Sequence, residues 1–589
     1  MICVKIETIK KADGNKIGFV TAFTKIWGFL SRKRKSQVSA LFFGMIVGGF
    51  LEIANIGILV PFLGFLASPG EASKYEWLNS FVPFEINLGS QSTVLMYLTI
   101  SLCVFVLLAS GFRGVMQWLS IRLSYAIGND FEVEVFRRSL YQPYSVHVSQ
   151  NSSVVISGIE KTNSLTGSLL AYLSIMHSAV TILMLVSVFL IASPVISSSI
   201  FLIICMAYLL ASYLVRQVLE VHGEKVTVSL NTRLKLLQEG LGGIRDILLS
   251  GLQRYYYGNF NSVNMQMKRS QALIRFVALV PRLIIEPVGI ITIAISALVL
   301  SLREGFAETV IILGVVALTV QRLLPMTQQA FGGWTAIMSS IPSVKDVFML
   351  LDRTIPEFHC GPTKVFDFNH VIKFDQLSFH YNNGQDVLKD IDFSINKGQY
   401  IGLMGKTGSG KSTILDLFLG LLTPTEGRIL VDGREIDKNN RREWQQAIAH
   451  VPQEVYLTDA TIAENIAFGE KLEEIDNEKL YNAVKLAQLA GFIDYAENGY
   501  NTIVGERGVQ LSGGQRQRIG MARAIYRGAS ILVLDEATSA LDENTEKQIL
   551  QSIVGLGKGV TILMVTHRTS TLHHCDMVFE IISGKVKKV

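Results

Sequence analysis

The chain has 589 residues, of which 49% are hydrophobic and 17% are charged, with a formal net charge of +5 and a mean hydropathy of +0.35. Soluble domains carry about 25% charged residues, so this composition predicts that much of the chain faces lipid. A net charge this small for such a length does not indicate nucleic-acid binding, and we expect no nucleic-acid partner.

The N-terminal segment 1–37 predicts a cytoplasmic lead-in to a membrane helix. Its first 36 residues hold nine Lys or Arg and no long apolar core that ends in a small-residue cleavage site, so we expect no removable signal peptide. The five cysteines are scattered, with no CxxC pair and no histidine at metal-ligand spacing. We interpret them as thiols without a disulfide or zinc role; they are Cys3, Cys103, Cys205, Cys360 and Cys575.

Apolar runs of spanning length recur six times before residue 330. Each meets or approaches the roughly 20 residues that cross about 30 Å of hydrocarbon. They predict an all-α transmembrane domain over 38–350 with helices near 38–67, 93–119, 168–192, 195–216, 276–302 and 306–328.

Lysine and arginine are unevenly distributed between these runs. The chain start and the polar stretches 120–167 and 217–275 are rich in both, whereas 68–92 has one lysine against three glutamates. Cytoplasmic segments carry the excess of positive charge, so we expect both chain ends in the cytoplasm. The two polar stretches predict helices that continue into the cytoplasm and turn there, near 141–151 and 236–247, where Pro or paired Gly breaks the helical pattern.

The charged residues that lie well inside the predicted spans, away from their ends, are Glu52, Arg113, Arg282, Glu286 and Arg322. A charge at the bilayer centre costs at least roughly 2.5–3.5 kcal/mol. Arg282 and Glu286 are four residues apart and share one helix face, so one hypothesis is that these two residues pair with each other, or with Glu52, and only neutralise. A second is that Arg282 and Arg322 line a central cavity that attracts an anionic headgroup. A third is that some lie near a membrane edge and extend to water.

The sequence pattern changes after residue 350, where the long apolar runs end. Residues 351–370 have a linker composition, with Pro and Gly in "DRTIPEFHCGPTK". From 371 to 589, short β-rich runs alternate with helical patterns, as in "YIGLMG" and "VTILMVTHR". This alternation predicts an α/β domain with a largely parallel sheet.

The stretch "GKTGSGKS" fits the phosphate-loop pattern G-x-x-x-x-G-K-[ST], and it stands between the strand-like "YIGLM" and the helix-like "TILDLFLGLL". A glycine-rich turn lets backbone N–H groups converge on phosphate oxygens at a helix N-terminus. Lys411 adds positive charge at the β and γ phosphates, and the Ser412 hydroxyl can ligate Mg²⁺. The sequence therefore predicts an ATP and Mg²⁺ site formed by Gly405, Lys406, Thr407, Gly408, Ser409, Gly410, Lys411, Ser412 and Thr413.

A second stretch, "ILVLDEATSALD", places two carboxylates at the end of an apolar strand. An aspartate at that edge, Asp535, can hold the Mg²⁺ shell, and the next residue, Glu536, can orient or deprotonate the attacking water. Adjacent acids at a strand end usually form a solvated loop, but the phosphate loop elsewhere in the same domain favours the catalytic interpretation.

The segment "LSGGQRQR", 511–518, carries a resemblance to a known family: its first five residues look like the signature sequence of ABC transporter ATPases. Further motifs in the expected order are "VPQE", "VGERG", "SALD" and "VTHR". The resemblance implies that Tyr381 stacks on adenine, that Gln453 touches Mg²⁺ with Ser412 and Asp535, and that His567 contacts the γ-phosphate. It also implies that Ser512, Gly513, Gly514 and Gln515 of one chain close over the ATP bound by a second copy, so we expect a homodimer.

Six spans ahead of one ATPase domain resemble an exporter-type half-transporter, in which the turns near 141–151 and 236–247 are coupling helices; plain helix hairpins are the alternative. "VPRLIIEP", "QRLLP" and "LEIANIGILVPFL" resemble the bacterial lipid-linked oligosaccharide flippase and its polysaccharide-export relatives. That resemblance implies a bacterial inner-membrane protein, a lipid-linked oligosaccharide as cargo, and a short interfacial helix with Trp77, Leu78 and Phe81 in the outward loop.

Other functions remain open from the sequence alone. Export of phospholipid or lipid A, of peptides, or of drugs follows in that order as alternative cargo. A membrane regulator that uses ATP to gate a partner is a rival of another class. The presence of both Glu536 and His567 favours a hydrolysing transporter over such a regulator.

Overall fold

A computed structural model describes residues 18–67, 91–192, 194–303, 306–355, 364–381, 386–555 and 559–589. The chain divides into two compact units. One comprises the residues up to Gln142 and those from Gln150 to Thr354, and the other comprises Pro143–Ser149 and Ile355–Val589. The outward loop predicted to hold Trp77, Leu78 and Phe81 lies outside the described residues.

The first part of the chain is helical. Its described helices are α1 (Phe19–Phe29), α2 (Arg32–Ala67), α3 (Gln91–Leu140), α4 (Tyr144–Ser149), α5 (Ser152–Ala192), α6 (Pro194–Gly242), α7 (Ile244–Leu249), α8 (Gln253–Arg303) and α9 (Phe306–Leu351). Within the described residues, the helical segments long and apolar enough to cross a membrane are Arg32–Asn55, Leu95–Leu140, Ser152–Ser187 and Ile204–Gly242. The short helices α4 and α7 fall at the two predicted cytoplasmic turns, and α4 groups with the second unit.

The long helices bury apolar side chains on one side and expose apolar side chains on the other. Ile127, Leu165 and Phe348 lie in a buried cluster that joins α3, α5 and α9. By contrast, Leu107 on α3 is 73% exposed and Leu209 on α6 is 70% exposed. Large apolar side chains on an exposed helix face indicate contact with lipid rather than water.

Polar contacts tie α9 to α5 and α6 outside the predicted spans. Lys161 on α5 is 2% exposed, and its Nζ donates hydrogen bonds to Asp346 Oδ2 on α9 at 2.5 Å and to Asn231 Oδ1 on α6 at 2.6 Å. The Thr227 and Ser343 hydroxyls are 2.8 Å apart on α6 and α9. These bonds satisfy polar groups that are otherwise costly to bury.

The second unit contains strands and short helices. Its described strands are β1 (Val371–His380), β2 (Asp386–Asn396), β3 (Tyr400–Gly405), β4 (Glu426–Val431), β5 (Arg434–Glu435), β6 (Ile448–Val451), β7 (Ile531–Asp535), β8 (Thr561–Val565), β9 (Met577–Ile582) and β10 (Lys585–Lys588). Its helices are α10 (Lys411–Phe418), α11 (Arg441–Gln446), α12 (Ile462–Ile466), α13 (Asn477–Leu486), α14 (Ala490–Tyr495), α15 (Gly513–Arg527), α16 (Glu543–Val554) and α17 (Thr569–Leu572).

These strands form two sheets. The six-stranded sheet has the order β10-β9-β3-β8-β7-β6, in which every neighbouring pair except β10 with β9 is parallel. The four-stranded sheet, β2-β1-β4-β5, is antiparallel. The prediction of a largely parallel sheet therefore describes only the first of them. The alternation of buried and exposed residues along β1 and β2 is typical of antiparallel strands.

The Lys161–Asp346 pair gives a stability prediction. Asp346→Asn keeps the side-chain shape but removes the negative charge beside buried Lys161. Loss of one partner of a fully buried pair costs about 3–5 kcal/mol, and we expect about 2–3 kcal/mol here, because the Asp346 side chain is 31% exposed. The unfolding midpoint of the detergent-purified full chain measures this loss. Adding Lys161→Met should restore most of it, and a double variant no more stable than the single one would contradict this account.

Candidate functional site

The phosphate loop runs from the end of β3 into the start of α10. Gly408 and Gly410 have φ values of 79° and 110°, a region that favours glycine because other residues carry a Cβ atom. The Lys411 Nζ donates hydrogen bonds to the carbonyl oxygens of Gly405 at 2.6 Å and Lys406 at 3.1 Å. The loop thus curls around the lysine amine, and the first N–H groups of α10 lack intrahelical acceptors.

Glu536 lies at the end of β7 between two other predicted site residues. Its Oε2 accepts a hydrogen bond from Gln453 Nε2 at 2.9 Å, and its Oε1 lies 3.1 Å from His567 Nε2. The backbone of Glu536 has φ 47°, which is uncommon for a residue with a side chain. Its N–H donates to the Val565 carbonyl oxygen at 2.9 Å, which holds the residue in this conformation.

Two aspartates near the phosphate loop have altered acidity. Burial raises the pKa of Asp535, and the adjacent Glu536 carboxylate raises it further, while Lys411 lowers it. Burial also raises the pKa of Asp416 on α10 to about 6, with a smaller contribution from Asp535. Several carboxylates therefore share a partly buried region, which favours the presence of a cation there.

The predicted adenine-side aromatic, Tyr381, lies beside the loop. It is 44% exposed, and its hydroxyl is 3.4 Å from the Thr413 hydroxyl. Phe379 supports it edge-on, with ring centroids 4.9 Å apart. Tyr144 of α4 is also in this region: burial raises its pKa, and the negative charge of Asp416 adds to the rise.

The signature residues lie at the start of α15, at a distance from the loop in sequence. Ser512 caps the helix: its hydroxyl accepts from the Gln515 N–H at 3.2 Å, while its own N–H donates to Gln515 Oε1 at 2.7 Å. Gly513 and Gly514 form the first turn. Among the described residues, no hydrogen bond joins 512–515 to the phosphate loop of the same chain, so the structure brings the other predicted residues together but not these.

Sequence reasoning missed two residues that hold the "SALD" loop. Gln517 Nε2 donates to the Ser539 hydroxyl at 2.9 Å, and its Oε1 accepts from the Ala540 N–H at 3.0 Å. Arg568 Nη2 donates to the Ser539 carbonyl oxygen at 2.9 Å. Both residues lie within stretches quoted above, Gln517 in "LSGGQRQR" and Arg568 in "VTHR", but their contacts with 539–540 depend on tertiary structure.

The residues present fit a nucleoside triphosphate with Mg²⁺. The Ser409 hydroxyl is buried in the loop without a partner among the described residues. Ser412, Gln453 and Asp535 offer a hydroxyl, an amide and a carboxylate, the oxygen ligands that Mg²⁺ prefers. Because Gln453 uses its amide nitrogen toward Glu536, its amide oxygen remains for a cation.

The charges on the membrane helices fall into two groups. Glu52 on α2 is 8% exposed. Its Oε1 lies 3.1 Å from Arg113 Nη2 on α3, and its Oε2 lies 2.9 Å from Arg322 Nη1 on α9. Arg282 and Glu286 pair separately on α8, 3.2 Å apart, with side chains 54% and 47% exposed. We call the first group the Glu52 triad; it carries one net positive charge, whereas the second is neutral.

A helical unit with membrane-spanning segments, followed by a phosphate-loop unit with a capped glycine helix, defines the class of ATP-driven membrane transporters. Residues 388–539 match the ABC transporter family, and residues 38–303 match the ABC transporter transmembrane region.

Relatives extend this match along the chain. It is 30% identical to the ATP-dependent lipid A-core flippase of Shewanella oneidensis over 584 residues, 96% of this chain and 94% of that protein. It is 34% identical to the ATP-dependent lipid A-core flippase of Chromohalobacter salexigens over 357 residues, 59% of this chain and 60% of that relative. The chain therefore belongs to the ABC transporter family, as a half-exporter whose ATPase activity is coupled to transport.

A solved structure of a bacterial Atm1-family ABC exporter with ATP bound has the same fold. The TM-score is 0.76, the sequence identity is 22%, and the match covers 94% of both chains. The predicted fold class, a polytopic helical domain followed by an ABC-type ATPase domain, is confirmed, and so is the resemblance to exporter half-transporters.

The position of Glu536 yields a catalytic prediction. Glu536→Gln keeps the side-chain size but removes the carboxylate that lies between Gln453 and His567. We expect ATP hydrolysis to fall by about 10²–10⁴-fold, the usual contribution of a general base, with ATP affinity changed only a few-fold. Steady-state phosphate release and nucleotide-binding titrations measure the two effects. The exposed Glu473→Gln is a matched control, and near-normal hydrolysis by Glu536→Gln would remove Glu536 as the base.

Proposed function

We propose that this protein is an ATP-driven flippase of an anionic amphipathic lipid, with a lipid A-type saccharolipid as the preferred cargo. The observation that carries the proposal is the net positive charge of the Glu52 triad on helices of the membrane unit. The lipid A-core flippases among the relatives support this cargo above the lipid-linked oligosaccharide that the sequence alone favoured, which becomes the second candidate.

The triad suits a phosphorylated glycolipid for electrostatic reasons. Glu52 neutralises one arginine, so a second guanidinium retains charge that an anionic group can satisfy. The Arg113 and Arg322 side chains are 36% and 33% exposed, against 11% for Glu52, so the cations are more accessible than the acid. Guanidinium groups bind phosphate through two parallel N–H donors. A phosphate close to both arginines would therefore compete with Glu52 for them.

We do not assign Arg282 to cargo binding, although the sequence offered it, with Arg322, as a residue that lines a cavity for an anionic headgroup. Its i,i+4 partner Glu286 already neutralises it on the same helix. Arg322 thus keeps its predicted role toward an anionic cargo, and Arg113 joins it. Arg282 is paired with Glu286, and the pair adds no net charge that could attract an anionic cargo.

The ATPase part of the proposal assigns the chemistry to the residues described above. Glu536 acts as the base that activates water, His567 contacts the γ-phosphate, and Lys411 neutralises charge on the phosphates. Mg²⁺, held by Ser412, Gln453 and Asp535, would neutralise phosphate charge. Tyr381 supports adenine. Ser512 and its neighbours form no hydrogen bond with this loop among the described residues, and in this proposal they complete the site of a second copy in a homodimer.

The membrane part of the proposal retains the six predicted spans within 38–350 and a bacterial inner-membrane location, with both termini in the cytoplasm. The chain after the linker at 351–370 is the nucleotide-binding domain. The turns at α4 and α7 act as coupling helices, and the inclusion of α4 in the ATPase unit supports this role.

Arg322→Gln tests the cargo site. It lowers the net charge of the Glu52 triad from one to zero while leaving Glu52 paired with Arg113. A hydrogen bond to a charged group contributes about 1.5–3 kcal/mol, so we expect the lipid A concentration that half-stimulates the ATPase in proteoliposomes to rise at least about tenfold.

The double variant Arg282→Gln with Glu286→Gln is the matched control, since it removes charges without changing net charge. Its half-stimulating concentration should stay within about twofold. A shift in the control as large as that in Arg322→Gln, or no shift in either, would contradict the assignment of cargo binding to the triad.

A competition between lipids separates the two cargo candidates. Fluorescence-quenching flip assays with lipid A-core and with a polyprenyl-pyrophosphate oligosaccharide, each at equal mole fraction, measure ATP-dependent transfer. We expect faster transfer of the lipid A-type molecule. Faster transfer of the oligosaccharide would return the preference to the polyprenyl lipid, and transfer of neither would overturn both.

A further inference from the structure

A cavity of about 570 Å³ lies between α2 and α3, separate from the Glu52 triad. Arg34, Gln37 and Arg122 line its polar end, and Leu41, Met116 and Leu119 line its apolar end. The two helices run antiparallel, because Arg34 meets Asp130 while Gly44, further along α2, faces Met116. The cavity is therefore amphipathic along its length.

Arg34 forms a fixed wall of this cavity. Its Nε and Nη2 donate to the two oxygens of Asp130 at 2.8 and 3.2 Å, and its Nη1 donates to Gln37 Oε1 at 3.0 Å. A guanidinium held this way keeps α2 and α3 in register at the polar end, but its charge is already neutralised by the aspartate.

Arg122 is the cation that remains available. It lies over the Trp118 ring, 5.1 Å from the centroid. Within the part of the chain that the structure describes, it has neither an ion pair nor a hydrogen bond. Stacking on an indole face orients the guanidinium while leaving its N–H donors free.

The cavity lies at the level of the bilayer that a lipid of the cytoplasmic leaflet occupies. The first predicted span begins at residue 38 and the second ends at 119, so Arg34 and Arg122 lie just past the cytoplasmic ends of both. Trp118 is at the interface depth that tryptophan prefers. Arg113 of the Glu52 triad lies nine residues before Arg122, about 13 Å deeper at the helical rise. The polar end of the cavity is thus at headgroup level, and its apolar end is among acyl chains.

We infer that this cavity binds an anionic glycerophospholipid of the cytoplasmic leaflet. The lipid phosphate accepts hydrogen bonds from Arg122, and one acyl chain lies along Leu119 and Met116 toward Leu41. Basic pockets between membrane helices on the cytoplasmic side are a recurrent way to bind anionic headgroups. This lipid is distinct from the proposed cargo and stays at the outer surface of the membrane unit.

The test uses the full-length protein in detergent, titrated with phosphatidylglycerol or phosphatidylcholine and examined by native mass spectrometry. Arg122→Gln should weaken binding of one phosphatidylglycerol about fivefold, the change expected for one basic residue at an anionic surface, and leave phosphatidylcholine binding unchanged. Arg216→Gln is the control, because Arg216 is also an exposed arginine at the end of a predicted span. Equal phosphatidylglycerol binding by wild type and Arg122→Gln would overturn the proposal.

Further experiments distinguish three possible occupants of the cavity: a phospholipid, a soluble phosphate compound and a second copy of the chain. Leu119→Trp fills the acyl end and should also weaken phosphatidylglycerol binding, whereas glycerol phosphate, which has no acyl chain, should not compete at tenfold excess. Arg322→Gln should bind phosphatidylglycerol as wild type does. Effective competition by glycerol phosphate would show that the site binds a free phosphate compound rather than a lipid. Efficient cross-linking of two chains through Leu119→Cys would show that a second copy occupies the cavity. Either outcome overturns the lipid proposal.

Discussion

Parallel pairing of four neighbouring strands places the ATPase chemistry at one edge of one sheet. β3 ends at the phosphate loop, β8 ends two residues before His567, β7 ends at Asp535, and β6 ends two residues before Gln453. Since β7 lies between β8 and β6, the residue after it is flanked on both sides, which is why Glu536 meets both His567 and Gln453. A change in this strand order would separate the three side chains, whatever their identity.

The membrane unit satisfies a different constraint: each charge in its spans needs a partner or water. The Arg282–Glu286 pair meets it locally, through the i,i+4 spacing of one helix, and is half exposed. The Glu52 triad meets it across three helices and buries its acid. The local pair has no net charge and no dependence on tertiary structure. The triad has a net positive charge and depends on tertiary structure, so an anion bound there, as proposed, would be linked energetically to the packing of α2, α3 and α9.

The candidate ATP site could be proposed from the sequence because phosphate chemistry restricts the residues that can surround a nucleotide. Gly408 and Gly410 require positive φ, and Lys411 and Asp535 require fixed positions in the sequence relative to a strand end, so short motifs identify them. The antiparallel sheet was not predicted, because β1 and β2 lack such a motif and only their alternating burial distinguishes them. The partners of Glu52 were not predicted either. Arg113 and Arg322 lie 61 and 270 residues away in the chain, and no periodicity connects positions on different helices.

The short helix α4 connects the ATPase unit with the membrane helices along the chain. It belongs to the ATPase unit, where Asp416 and Tyr381 influence the pKa of Tyr144. In the sequence, however, it stands between the spanning segments Leu95–Leu140 and Ser152–Ser187. Only a few residues of chain therefore join α4 to the end of α3 at Leu140 and to the start of α5 at Ser152. Tyr144 lies near Tyr381, so an adenine ring bound at Tyr381, as proposed, would lie close to this connection.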